Sequence, residues 1–210
     1  MPLPNRLLEG YANFRQGRFV SEAERYLKLG ESTQNCSVMM IACCDSRAAP
    51  EIIFDAGPGE IFVVRNVANL VPPFTPDGGH HATSAALEFG VLSLGVRDIV
   101  VMGHGRCGGI HAAIQATSPL SHTDFIGSWM RAIKDVAQAV PHEEGTNAEK
   151  YERHIERVSI EHSIANLRTF PWIRMKENRR ELALHGAWFD ISMGELHAYD
   201  EKASDWQLID

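Results

Sequence analysis

The sequence offers no segment that would cross a membrane. Its longest uninterrupted apolar stretch covers residues 38–44, whereas a spanning helix needs about 20 apolar residues. Residues 1–20 contain no apolar block of signal-peptide character, so the expectation is a cytoplasmic protein with no membrane partner. Positive charge is also short: 20 Lys plus Arg face 27 Asp plus Glu, a net charge of −7. Binding to a phosphate backbone requires a dense basic face, and without a Lys/Arg cluster no nucleic-acid partner is expected. Cysteine is sparse, with Cys36, Cys43, Cys44 and Cys107. In a reducing compartment, and in a chain long enough to bury its own core, disulfides are unnecessary. The thiols therefore call for another role.

What is present is ordinary for a folded chain. At 210 residues, 44% hydrophobic and 22% charged, residues 1–210 fit one domain. Residues 5–29 place Leu7, Leu8, Tyr11, Phe14, Phe19, Ala23, Tyr26 and Leu27 at helical spacing, which predicts one or two amphipathic helices ending at Gly30. Residues 37–44 and 61–65 are continuous apolar runs, the pattern of strands buried on both faces of a parallel sheet. Residues 71–81 are a Pro/Gly-rich loop. Leu87, Val91 and Leu94 then mark a helix that Gly95 would stop. Residues 98–102 form a third buried strand that breaks at Gly103-His104-Gly105, with a further helix from about Gly109. The charged stretches 143–157 and 174–181 read as solvated helix faces. Residues 187–192 and 196–199 flank Met193-Gly194-Glu195 as a hairpin closing the sheet edge. The expected fold class is α/β: a mostly parallel central sheet flanked by helices, a C-terminal antiparallel edge strand and an N-terminal helical arm.

Two segments at predicted strand ends, where α/β folds gather ligands, carry metal-binding residue types. In Cys43-Cys44-Asp45-Ser46-Arg47, alternation puts Cys43, Asp45 and Arg47 on one side and Cys44 on the other. Cys36 and Cys44 are expected to be small core residues. In Gly103-His104-Gly105-Arg106-Cys107, His104 and Cys107 are three apart in a turn opening a helix and can converge. Cys43, His104 and Cys107 together offer two soft sulfurs and an imidazole, the set that suits Zn2+. Three protein ligands with one open position is the catalytic pattern for zinc; structural sites close with four. Asp45 is either a conditional fourth ligand or is held off by a bidentate pair with Arg47. A nucleophilic-cysteine site of the tyrosine-phosphatase kind is disfavoured, because the position six after Cys43 is Ala49 and six after Cys44 is Pro50.

These motifs resemble the β class of carbonic anhydrases. The resemblance spans about residues 37–200 and includes Pro58-Gly59-Glu60, Arg65-Asn66-Val67-Ala68-Asn69, Ser84-Ala85-Ala86-Leu87-Glu88 and Leu184-His185-Gly186-Ala187-Trp188-Phe189-Asp190, in order. It implies zinc held by Cys43, His104 and Cys107, and reversible hydration of carbon dioxide to bicarbonate by zinc-hydroxide attack, with Asp45 and Arg47 orienting the hydroxide. It also implies a homodimer or dimer of dimers in which the arm, residues 1–35, packs on the partner. One subgroup of the class binds regulatory bicarbonate with a tryptophan three residues before the first cysteine ligand; Met40 stands there, so strong bicarbonate inhibition is not expected. The alternatives are a carbon disulfide or carbonyl sulfide hydrolase on the same scaffold, and a non-catalytic Cys2HisAsp zinc protein.

Overall fold

A computed structural model describes residues 3–31, 34–115, 118–141 and 147–209. Six strands form one sheet: β1 (Val38–Cys43), β2 (Ile61–Asn66), β3 (Asp98–His104), β4 (Ala183–Asp190), β5 (Glu195–Asp200) and β6 (Asp205–Ile209), in the order β2-β1-β3-β4-β5-β6. β1 pairs in parallel with both β2 and β3, and β3 with β4; β5 and β6 add antiparallel. The apolar runs of β1 and β3 are interior strands, as their lack of polar alternation predicts. β2 is half-buried along its length because it lies at the sheet edge.

Alternation along β1 divides the core. Met39 and Ile41 face a layer built from α8 (Ala148–Leu167), where Ile160, Ile164 and Leu167 meet Ile99, Val101 and Trp188. Met40 and Ala42 face the opposite side with Met102 and Ala187. α5 (Ala82–Glu88) continues through a π-helical turn at Phe89–Leu94, and Gly95 ends it in the left-handed region at φ 68°, as the sequence pattern predicts. Further helices after β1 are α4 (Pro50–Ile53), α6 (Gly108–Gln115), α7 (Phe125–Ala139) and α9 (Pro171–Asn178).

Three sequence expectations change. The hairpin around Gly194 forms, but its first strand begins at Ala183 and runs parallel to β3, so β4 is interior. The antiparallel edge is two strands, the outer being β6, whose sequence signal is only the apolar residues Trp206, Leu208 and Ile209. Trp206 is anchored by donating its indole N–H to Glu161 Oε1 at 3.0 Å. The N-terminal segment is three helices, α1 (Asn5–Gln16), α2 (Arg18–Ser21) and α3 (Ala23–Glu31), the last continuing past Gly30. None of the three buries a residue. The charged stretch read from Glu143 begins outside the described residues. No helix among the described residues is long and apolar enough to cross a membrane.

Candidate metal centre

Parallel pairing brings the carboxyl ends of β1 and β3 to one edge of the sheet, and with them Cys43 and His104. β3 runs through His104 rather than breaking before it, so the imidazole is carried by the strand itself. Its Nδ1 lies 3.0 Å from the Gly105 carbonyl oxygen. With Nδ1–H donating there, Nε2 is left with its lone pair free, the tautomer a ligating histidine needs. Cys107 follows in the turn that opens α6.

The Cys43 and Cys107 Sγ atoms lie 4.0 Å apart, and one ligand atom each from Cys43, His104 and Cys107 falls within 4.8 Å of the others, all three residues buried. Two sulfurs on one tetrahedral zinc, each at about 2.3 Å, would be about 3.8 Å apart. The observed spacing therefore suits that ion. Nε2 of His104 is buried without a hydrogen-bond partner, a costly arrangement unless something else occupies its lone pair. The residues thus fit zinc by donor chemistry, spacing and an orphaned nitrogen.

The protons tell a consistent story. The Cys43 thiol is pulled down to about 4 by the hydrogen bond from Cys107, against burial, with help from His104 and backbone N–H groups. Cys107 is pushed up by keeping the proton it shares with Cys43 and by burial. Burial pulls His104 down, but the nearby Cys43 sulfur and the Gly105 carbonyl outweigh it and raise the imidazole. One proton shared by two sulfurs is what a cation of two positive charges would displace.

Asp45 and Arg47 lie just past β1. Arg47 donates from Nε to Oδ1 at 2.9 Å and from a terminal nitrogen to Oδ2 at 2.7 Å, the bidentate pair anticipated from sequence. Hydrogen bonding to Arg47 holds the Asp45 carboxyl well below the usual carboxylate range. The same Arg47 nitrogen donates to the Arg106 carbonyl at 3.2 Å, tying this turn to the one that carries Cys107. Asp45 Oδ2 remains 3.9 Å from His104 Nε2, at the rim of the cluster rather than within it. Arg65 donates to the carbonyls of Cys43 at 2.9 Å and Asp45 at 2.6 Å, which fixes the chain between ligand and rim.

The turn Val67–Asn69 closes the site from another side: Ala68 N–H points at Cys43 Sγ from 3.4 Å. Gly109 makes that approach possible, since a Cβ there would lie 2.8 Å from Val67 Cγ1 and 3.1 Å from Ala68 Cβ, whereas a Cβ on Gly108 would meet nothing within 4 Å. Gly109→Ala should destabilise the fold by about 1–3 kcal/mol through overpacking. Gly108→Ala should be neutral or slightly stabilising, as alanine is the better helix former. Thermal midpoints of the two variants check this; equal midpoints would show that the turn yields without cost.

Two residues depart from the sequence reading. Cys44 is exposed, not core, because β1 ends at Cys43. Glu156, read as part of a solvated charged face, is buried at 2% exposure. Cys107 N–H donates to its Oε1 at 3.0 Å and the Trp188 indole N–H to its Oε2 at 3.1 Å. Burial raises its carboxyl pKa despite both bonds. A signal was available: Glu156, Ile160, Ser163 and Leu167 share a helical stripe that is buried throughout. Of the other histidines, His81, His111 and His185 sit at exposed positions beside Asp77, Glu152 and Asp98.

Comparison with known proteins converges on one family. A family model described as carbonic anhydrase matches residues 38–196. The chain is 36% identical over 181 residues to β-carbonic anhydrase 5, chloroplastic, of Arabidopsis thaliana, covering 85% of this chain and 58% of the plant protein's length. It is 33% identical over 196 residues to the carbonic anhydrase of Pseudomonas aeruginosa, covering 92% and 86%. The solved structure of the β-carbonic anhydrase CcaA superposes with a TM-score of 0.89 at 28% identity, over 98% of each chain.

Proposed function

The chain belongs to the β-class carbonic anhydrases, and we propose that it is a zinc-dependent carbonate dehydratase interconverting carbon dioxide and water with bicarbonate and a proton. The observation that carries this reading is the buried Cys43–His104–Cys107 cluster with its orphaned Nε2, set beside the Asp45–Arg47 pair. Zinc held there supplies Lewis acidity, by which water becomes a nucleophile near neutral pH. Cys43 and Cys107 would hold that ion through Sγ and His104 through Nε2. Asp45, kept ionised by Arg47, accepts a hydrogen bond from the attacking oxygen and aims its lone pair at the carbon of the substrate. Arg47 holds Asp45 off the ligand cluster and links the two turns of the site.

Carbon dioxide is small and uncharged, so a net charge of −7 does not oppose its approach. The four free thiols suit a reducing compartment, and the cytoplasm is the proposed location. The arm, residues 1–35, is the proposed dimer contact: Leu7, Tyr11 and Leu27 are 57%, 62% and 63% exposed, more apolar surface than three adjoining helices leave in water without a partner. Leu7→Asp combined with Leu27→Asp should shift the sedimenting species toward monomer; an unchanged species would remove the arm from the interface.

The activity is tested by zinc content together with stopped-flow carbon dioxide hydration between about pH 6.5 and 9. About one zinc per chain and hydration that rises with pH are expected. Stoichiometric zinc with no hydration at any pH would point to a closed structural site, and turnover of carbon disulfide but not carbon dioxide would reassign the substrate.

A further inference from the structure

We propose that Glu156 is a positioning residue for the metal centre, clamping the Cys107 turn to the sheet through Trp188 with one carboxylate that accepts from both. The inference rests on the zinc reading above. Cys107 is presented by a turn whose preceding residue, Arg106, has φ 57°, a left-handed conformation that a side chain with a Cβ adopts at a cost of about 1–2 kcal/mol. Such a turn needs external support. Gly105 provides some by donating its N–H to the Phe189 carbonyl at 2.9 Å, and its missing Cβ lets the backbone settle on Trp188, whose Cζ2 would be 3.2 Å from a methyl there.

Glu156 supplies the rest. It reaches from α8 to the Cys107 N–H with one oxygen and to the indole N–H of Trp188, on β4, with the other. Trp188 is a fixed point: it is fully buried, with the Arg157 guanidinium carbon 4.6 Å and that of Arg153 5.3 Å from its ring centre. Among the described residues no lysine or arginine forms an ion pair with Glu156, so the two N–H donors are its compensation for burial.

The chemistry discriminates sharply between side chains. Two N–H donors require two acceptor oxygens, and a carboxylate has them. Glutamine is nearly the same shape but has one oxygen, so its NH2 must face either the Cys107 N–H or the indole N–H. The clamp is therefore broken by Glu156→Gln, and the breakage depends on the indole. In a Trp188→Phe background the indole N–H is absent, and the amide can turn its oxygen to Cys107 with nothing opposing its NH2.

The test is a double-mutant cycle on zinc release from the loaded protein into a chromophoric chelator, for wild type, Glu156→Gln, Trp188→Phe and the double variant. Glu156→Gln should release zinc at least about tenfold faster than wild type, the scale seen for groups that orient metal ligands. In the Trp188→Phe background the same substitution should change the rate much less. Release from Glu156→Gln at the wild-type rate would overturn the proposal, and so would equal acceleration in both backgrounds. If Glu156→Gln does not fold, a folded, zinc-holding double variant supports the clamp, and a double variant that also fails to fold overturns it. Hydration measured on the same samples separates this from the proposed function. Wild type that binds zinc without hydrating carbon dioxide defeats the function while the release rates still decide the clamp. Full hydration with unchanged release from Glu156→Gln defeats the clamp alone.

Discussion

Cys107→Ser should be isolated without stoichiometric zinc and without carbon dioxide hydration, while Cys44→Ser keeps both. The two cysteines differ only in where β1 and the turn before α6 place them: Cys107 is buried within 4.0 Å of Cys43 Sγ, and Cys44 is exposed beyond the end of the strand. Serine cannot replace the thiolate, because its hydroxyl stays protonated at neutral pH and its harder, shorter oxygen neither neutralises nor reaches the ion as sulfur does. Losing one of three protein ligands removes a large part of a binding energy that is about 10–16 kcal/mol at structural zinc sites. A ligand that binds only the folded state also stabilises it. Added zinc should therefore raise the thermal midpoint of the stripped wild type and leave that of Cys107→Ser nearly unchanged. Metal analysis, stopped-flow hydration and a melting curve with and without zinc are sufficient. Retention of about one zinc per chain by Cys107→Ser would remove Cys107 from the ligand set.

The Cys43–His104–Cys107 cluster is legible because strand and turn chemistry leave clear marks. The apolar run 38–44 ending in an acid, and a second buried strand ending in Gly-His-Gly, place Cys43 and His104 at neighbouring strand ends once both strands are parallel. The Asp45–Arg47 pair followed from alternation at a strand end, although the strand itself stops at Cys43. Less visible was everything decided by tertiary contact. Glu156 lies in a charged stretch, and only its phase relative to Ile160 and Leu167 distinguishes it from its solvated neighbours. β6 is short and half polar, and its place in the sheet depends on pairing with β5 rather than on any run of its own. The start of β4 near Ala183 is hidden because residues 183–186 pair with β3 alone and include His185 and Gly186 rather than a continuous apolar run. Cys44 departs from the core expected of it because β1 stops one residue before it.

Asp45→Ala should keep its zinc and lose about 100-fold in turnover, within the range found when a group that orients or accepts a proton from the reacting oxygen is removed. The geometry separates this role from ligation. Both Asp45 oxygens are taken by Arg47, at 2.9 and 2.7 Å, and Oδ2 stands 3.9 Å from His104 Nε2. A residue held this way can receive a hydrogen bond from an attacking oxygen without competing for the ion. Its protonation also separates the two roles. The folded-state pKa lies below the unfolded value because the carboxylate gains Arg47, so the pair adds stability above the ordinary aspartate range, near pH 3.9, and loses it only as pH falls through the folded value. Asp45 is thus ionised wherever hydration is measured, and the rise of activity with pH belongs to another group. The pH midpoint should therefore survive Asp45→Ala while the plateau falls. Arg47→Ala should lower the plateau as well, because it releases the carboxylate to approach the cluster and compete for the open position, and its loss should deepen as the pH is lowered. Loss of zinc from Asp45→Ala would instead make Asp45 a ligand, and an unchanged plateau would leave it no part in the reaction.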